Sequence, residues 1–221
     1  MNNVLITGAN RGIGLELCRQ LSLRGDKVIA TCRRPSKELE ELDVRIIENI
    51  DISNLESIDQ LVNHLKGIKI EVLINNAGIL YSDEIRSIEI EELKRQFEVN
   101  TLGPLLLTTK LLSNLKKGAK VILITSRMGS IEDNTSGSYY GYRMSKASLC
   151  MAGKSLSIDL KPAGISVALL HPGLVSTRMT NFSNSGISPE ESAQGLIKQI
   201  DSLTILNTGE FWHANGSKLP W

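Results

Sequence analysis

Cysteine and histidine are scarce in this chain: three of each among 221 residues, at Cys18, Cys32, Cys150, His64, His171 and His213. The thiols are odd in number and widely spaced, with no C-x-x-C pair and no Cys/His spacing suited to tetrahedral ligation. That pattern excludes a disulfide framework and a zinc site. The thiols are expected to be reduced and inert, and the histidines ordinary structural or surface residues. An excess of one charge is also missing. Lysine and arginine number 25 against 24 acids, a formal net charge of +1, and no basic cluster exceeds the pairs Arg33-Arg34 and Lys116-Lys117. Such a chain has no electrostatic footprint for nucleic acid or an anionic membrane, so the expected partner is a small molecule. No apolar run approaches the ~20 residues that cross a bilayer, and the opening Met1-Asn2-Asn3-Val4-Leu5-Ile6 has no basic leader. The expectation is a soluble, cytoplasmic protein.

What the chain does have is alternation. With 41% apolar and 22% charged residues over 221 positions, it suits one sizeable α/β domain covering 1–221. Short β-branched runs recur at Val4 to Thr7, Val28 to Cys32, Val44 to Ile47, Val72 to Ile74, Val121 to Thr125 and Ile165 to Leu170, with a weaker one at Glu210 to Trp212. Between them, Leu15 to Leu23, Leu55 to Leu65, Leu93 to Leu115 and Tyr142 to Leu160 carry apolar residues at helical spacing. This predicts a Rossmann-type, doubly wound parallel sheet of mostly seven strands, with helices on both faces. Gly103-Pro104 is expected to kink or restart the third helix, because proline lacks the amide that the ladder needs.

In such a sheet, ligands bind beyond the carboxyl ends of the strands. Six chemistry-bearing groups are predicted on that rim. They are the Gly8, Gly12, Gly14 turn after the first strand, Arg33 after the second, Asp51 after the third, Asn76-Ala77-Gly78 after the fourth, Ser126 after the fifth and Pro172-Gly173 after the sixth. A glycine-rich turn between strand and helix lets a pyrophosphate approach backbone amides at a helix start. Arg33 stands where a carboxylate would otherwise accept the ribose hydroxyls, and Arg11 projects from the glycine turn. Guanidinium groups suit a 2′-phosphate, so NADPH is expected over NADH. Asp51 is read either as an acceptor for the adenine amino group or as a helix N-cap. Asn76 and its neighbours are read as a close passage beside the cofactor or as plain turn chemistry.

Tyr142 and Lys146 are spaced Y-x-x-x-K, which puts both on one helix face. The ammonium and a positive nicotinamide ring are expected to lower the phenol pKa, while Ser126 hydrogen-bonds the substrate carbonyl and Tyr142 delivers the proton. The motifs T-G-x-x-x-G-x-G at Thr7 to Gly14, N-N-A-G at Asn75 to Gly78, Asn100, Ser126 and Y-x-x-x-K together resemble the short-chain dehydrogenase/reductases. Within that family, Ile124-Thr-Ser-Arg-Met-Gly-Ser-Ile131, Tyr140-Gly-Tyr-Arg-Met-Ser-Lys146, His171-Pro-Gly173 and Leu219-Pro-Trp221 resemble the sniffer carbonyl reductase and C-factor-like subgroup. Thr125 replaces the first serine of the usual pair and leaves the second hydroxyl, Ser126.

The resemblance implies NADPH-dependent reduction of small carbonyl compounds, with Asn100, Ser126, Tyr142 and Lys146 catalytic. It implies cofactor contacts from Gly8, Asn10, Arg11, Gly12, Ile13, Gly14, Arg33, Asp51, Ile52, Asn76, Ala77, Gly78, Tyr142, Lys146, Pro172, Gly173, Val175 and Thr177. Lys146 would hold the nicotinamide ribose, Asn100 would support a water linking it to solvent, and Thr177 would meet the nicotinamide amide. It further implies a homodimer or homotetramer built on the Leu105 to Leu115 and Tyr142 to Leu160 helices. A cofactor-binding signalling role and an NAD-dependent alcohol dehydrogenase are the alternatives. The short polar connection from Thr177 to Pro189 suggests a small lid and an open pocket.

Overall fold

The computed structural model describes residues 2–221, which form one seven-stranded sheet in the order β3-β2-β1-β4-β5-β6-β7. Every pairing is parallel. The strands are β1 (Asn3–Thr7), β2 (Lys27–Thr31), β3 (Arg45–Ile47), β4 (Ile70–Asn75), β5 (Leu115–Ile124), β6 (Ser166–His171) and β7 (Glu210–His213). The helices are α1 (Gly12–Leu23), α2 (Lys37–Glu40), α3 (Leu55–His64), α4 (Ile90–Phe97), α5 (Gly103–Lys110), α6 (Tyr140–Asp159) and α7 (Pro189–Ser202).

Parallel strands buried on both faces need apolar residues of both parities. Leu5, Leu73, Val121, Leu123 and Val167 face one layer, where they meet Ile58 and Leu61 of α3, Leu107 of α5, and Leu149 and Leu156 of α6. Val4, Ile6, Ile74, Ile122 and Leu170 face the other, against Leu17 and Leu21 of α1, Leu39 of α2, and Leu196 and Ile200 of α7. Strand order reverses between β1 and β4, so the glycine turn after β1 and the Asn-Asn-Ala-Gly loop after β4 flank the switch point.

The predicted helix from Leu93 to Leu115 needs correction. It starts earlier, at Ile90, and is interrupted by a π turn at Glu98–Leu102 before α5 restarts at Gly103 with Pro104 in its first turn. The Gly103 amide still donates to Glu98 O across the π turn, and Pro104, with no amide to place, follows where the ladder changes register. The helix ends at Lys110, and Leu115 opens β5 instead, with a register shift between Ile70 and Val72 on the neighbouring strand. Asp51 does not cap α3. Asn54 does, its side chain accepting from Ser57 N, while Asp51 closes a turn onto Ser53 N.

The turn after β1 and the loop after β4 are interlocked. Thr7 Oγ1 accepts from Asn76 N at 3.0 Å and Ala77 N at 3.1 Å; the Asn76 amide donates to Thr7 O at 2.9 Å and Gly8 O at 3.2 Å. Gly8 has φ of +65° and lies so near the loop that a Cβ would sit 2.8 Å from Ala77 Cα. At Gly14 a Cβ would lie 2.3 Å from Gly8 O and 2.5 Å from the Asn76 amide nitrogen. Gly14→Ala is therefore expected to cost about 2 kcal/mol and to lower Tm by roughly 4–8 °C, measured by thermal unfolding.

Candidate active site

Ser126 follows β5 and caps a short 3₁₀ turn, accepting from Met128 N at 3.1 Å. That turn packs tightly on α6: a Cβ on Gly129 would come within 2.8 Å of the Lys146 backbone. Tyr142 occupies the first turn of α6 and Lys146 the second, so both lie on one helix face, and Tyr142 lines the same cleft as Ser126. All three side chains are buried, and the Ser126 hydroxyl is close enough to the Tyr142 phenol to act on its ionisation. The Lys146 ammonium stands 5.7 Å from the centre of the Tyr142 ring and donates to the Ile124 carbonyl at 2.9 Å.

Burial dominates the electrostatics. It pushes the Tyr142 phenol up to about 12, with the Ser126 hydrogen bond pulling weakly the other way. The same desolvation pushes Lys146 down to about 8, with Cys150 opposing it. In the protein by itself, withdrawal from water penalises the phenolate more than its neighbours favour it; the lowering expected from Lys146 involves a positive nicotinamide ring as well. His171 lies on the same cleft and is pushed down to about 3 by burial and by His213, whose ring meets it edge-on at 4.9 Å. An imidazole with that pKa is neutral at neutral pH.

The cleft has a volume of about 490 Å³ and runs from Ile13 past Ser126 and Tyr142 to Pro172, Val175 and Thr177. Gly173 also lines it. A Cβ on Gly78 would sit 3.2 Å from Asn100 Oδ1 and 3.6 Å from Lys146 Nζ, so the Asn-Asn-Ala-Gly loop borders the lysine. Asn100 lies in the π turn, wholly buried, with its amide donating to Ile79 O and Ser145 Oγ and its oxygen accepting from Ile79 N. Its side chain is spent on holding the loop. The Ile52 side chain packs in the core under the sheet instead of facing the cleft, and a Cβ on Gly103 would meet its carbonyl at 2.6 Å.

At the far end, Arg11, Arg33 and Arg34 are exposed, and among the described residues none of them joins an ion pair. Asn10 braces this corner by donating to Arg34 O at 2.9 Å. Asp51 is engaged by Ser53 and by Arg95 of α4 at 3.1 Å, and its pKa is held down: burial raises it, but these partners outweigh that.

Sequence reasoning missed the outer wall of the cleft, where Arg127 pairs with Asp133 and Arg143 donates to Gly137 O and Ser138 O. It quoted Leu219-Pro-Trp221 without a role. The Trp221 carbonyl accepts from Glu132 N at 2.9 Å and Ser130 Oγ at 3.0 Å, and its ring packs on Phe211, so this segment braces the loop behind Ser126. Short spacing patterns carry no signal for contacts this distant in the chain.

The short chain dehydrogenase family profile matches residues 2–188. A 1-hydroxy-2-glutathionyl-2-methyl-3-butene dehydrogenase of Rhodococcus sp. (strain AD45) is 42% identical, with 100% of both chains covered. The C-signal protein of Myxococcus xanthus is 41% identical over 69% of this chain and 93% of its own. Among solved structures, the carbonyl reductase Sniffer of D. melanogaster superposes with a TM-score of 0.92 at 33% identity, covering 100% of both chains. An NADPH-bound carbonyl reductase from chicken fatty liver gives 0.90 at 31% identity, covering 100% of this chain and 99% of that one. With its doubly wound sheet, its glycine turn at the switch point and its Ser-Tyr-Lys cluster, this chain belongs to the short-chain dehydrogenase family of oxidoreductases.

Proposed function

We propose that the protein is an NADPH-dependent reductase of small carbonyl compounds: aldehydes, ketones, diketones or quinones. The observation that carries this reading is that Ser126 and Tyr142 line one cleft, with the Lys146 ammonium buried next to the Tyr142 ring, beside a glycine turn at the switch point. The residues present fit a nicotinamide dinucleotide. The Gly8, Gly12 and Gly14 turn would bring backbone amides at the start of α1 to its pyrophosphate, with Asn10 and Ile13 alongside. Asp51, the Ile52 backbone, Asn76 and Ala77 border the adenosine half. Gly78, Lys146, Pro172, Gly173, Val175 and Thr177 border the nicotinamide half. Arg11 and Arg33, with no acid at the end of β2, favour a 2′-phosphate. The NADPH bound by the chicken relative supports the same choice.

Such a cofactor supplies a hydride when bound. The chain's own residues supply the rest. As negative charge develops on the carbonyl oxygen, Ser126 donates a hydrogen bond and Tyr142 donates a hydrogen bond and then its proton. A phenol pushed up to about 12 stays protonated throughout the working range, which suits the reductive direction. Lys146 brings positive charge to the same edge. A signalling role is the second reading, supported by the C-signal relative. The intact proton donor favours catalysis over binding alone. The exposed Phe97, Leu102, Leu106, Met144, Met151 and Ile158 on and around α4 to α6 support a homodimer or homotetramer.

NADPH consumption with a panel of diketones, quinones, aldehydes and sugars tests the reading directly. Tyr142→Phe is expected to lose at least ~10²-fold in kcat while still binding NADPH; full turnover in that variant would remove the mechanism. Arg33→Ala should lower kcat/KM for NADPH by roughly 10-fold and leave NADH nearly unaffected, and a native preference for NADH would refute the cofactor assignment. The pH profile has a definite sign. With Lys146 at about 8, kcat/KM for NADPH should be level near neutrality and fall as pH rises through about 8, because the ammonium is lost before the phenol ionises. A profile flat to pH 10 would contradict it.

A further inference from the structure

We propose that Asp83 is a positioning residue for proton transfer: it ties the first turn of α6, and with it the Tyr142 phenol, to the loop that borders the cofactor cradle. The inference rests on Tyr142 being the proton donor. α6 begins in an unusual way. Its N-cap is Tyr139, an aromatic residue with φ of +54°, preceded by Ser138 at +53°. Two consecutive non-glycine residues in the left-handed region are strained, and strain of this kind persists only where the surroundings hold it. The helix has no cap from its own N-cap side chain and no acid in its first turn.

The missing cap comes from 57 residues away. Asp83, only 4% exposed, accepts from Tyr140 N at 2.5 Å and from Gly141 N at 3.0 Å through its two carboxylate oxygens, and its backbone carbonyl accepts from Tyr139 N at 2.9 Å. Three successive amides leading to Tyr142 thus end on one residue. The turn is also wedged against α4, where a Cβ on Gly141 would lie 2.4 Å from the Gln96 amide nitrogen and 2.7 Å from Leu93 Cδ2, with Asp83 Oδ2 at 3.3 Å. The turn is therefore fixed by both contacts.

Asp83 is itself held. Its loop is pinned to Thr7 at Asn76 and Ala77, to Asn100 at Ile79 and to Gln96 at Tyr81. A continuous set of hydrogen bonds therefore runs from the glycine turn, along the loop after β4, through Asp83 to the residue next to Tyr142. A buried carboxylate on backbone amides is a strong, directional tie, and proton transfer is sensitive to displacements of about 1 Å.

The test compares wild type, Asp83→Ala and Asp83→Asn for kcat, KM, NADPH affinity by fluorescence, and amide exchange at 140 and 141. Asp83→Ala is expected to lose at least ~10-fold in kcat with NADPH affinity within about twofold, and to exchange faster at those amides. Asp83→Asn keeps one acceptor oxygen and should recover several-fold of the loss. Wild-type kcat in Asp83→Ala would overturn the inference, as would a lower Tm with kcat unchanged, or a loss matched by lost NADPH affinity. Those outcomes leave the proposed function standing, whereas an inactive wild type across the carbonyl panel would sink that reading and this one together.

Discussion

The backbone contact between the turn after β1 and the loop after β4 sets the conditions for everything else at the site. These strands are neighbours in the sheet, yet their connections leave to opposite faces, so their carboxyl ends open a crevice. The two segments close its floor by bonding to each other through Thr7 and Asn76, at a separation only glycine permits at positions 8 and 14. Backbone amides that would otherwise cross-pair in a ladder are thereby presented at the start of α1. The same contact fixes the beginning of the loop that continues past Gly78 to Asn100 and Lys146.

From that floor, the cluster of Ser126, Tyr142 and Lys146 is assembled by burial. Ser126 is set by the turn after β5, and Tyr142 and Lys146 by one face of α6, and these two elements pack closely at Gly129. Removing the phenol and the ammonium from water drives their pKa values apart, up for one and down for the other. A protonated donor beside a readily discharged ammonium is thus the resting arrangement, and it comes from desolvation more than from attraction between the pair. The π turn that carries Asn100 belongs to the same construction, because the extra residue lets its side chain bond the Ile79 backbone.

Much of this was legible beforehand. The β-branched runs located all seven strands, including the weak Glu210 to Trp212 segment, because a doubly covered parallel sheet needs uninterrupted apolar stretches. The rim positions of the glycine turn, Arg33, Ser126 and Pro172-Gly173 followed from topology alone. Less legible were boundaries and local roles. The Leu93 to Leu115 stripe hid a π turn and the start of a strand, since periodicity cannot tell a leucine that ends a helix from one that opens a strand. Asp51 read as a cap because Asx chemistry is local, yet Asn54 takes that place and Asp51 answers to Arg95, 44 residues on.

The sequence by itself determined which elements form, in what order, and which hydroxyl, phenol and amine reach the strand ends, because periodicity and spacing act within a few residues. Only the tertiary structure decided the charge state of Tyr142 and Lys146, the role of Asn76 as a clasp, the brace from Trp221 and the cap that Asp83 gives α6. Each of these depends on burial or on a hydrogen bond between segments distant in the chain, and no local pattern encodes the distance at which such partners meet.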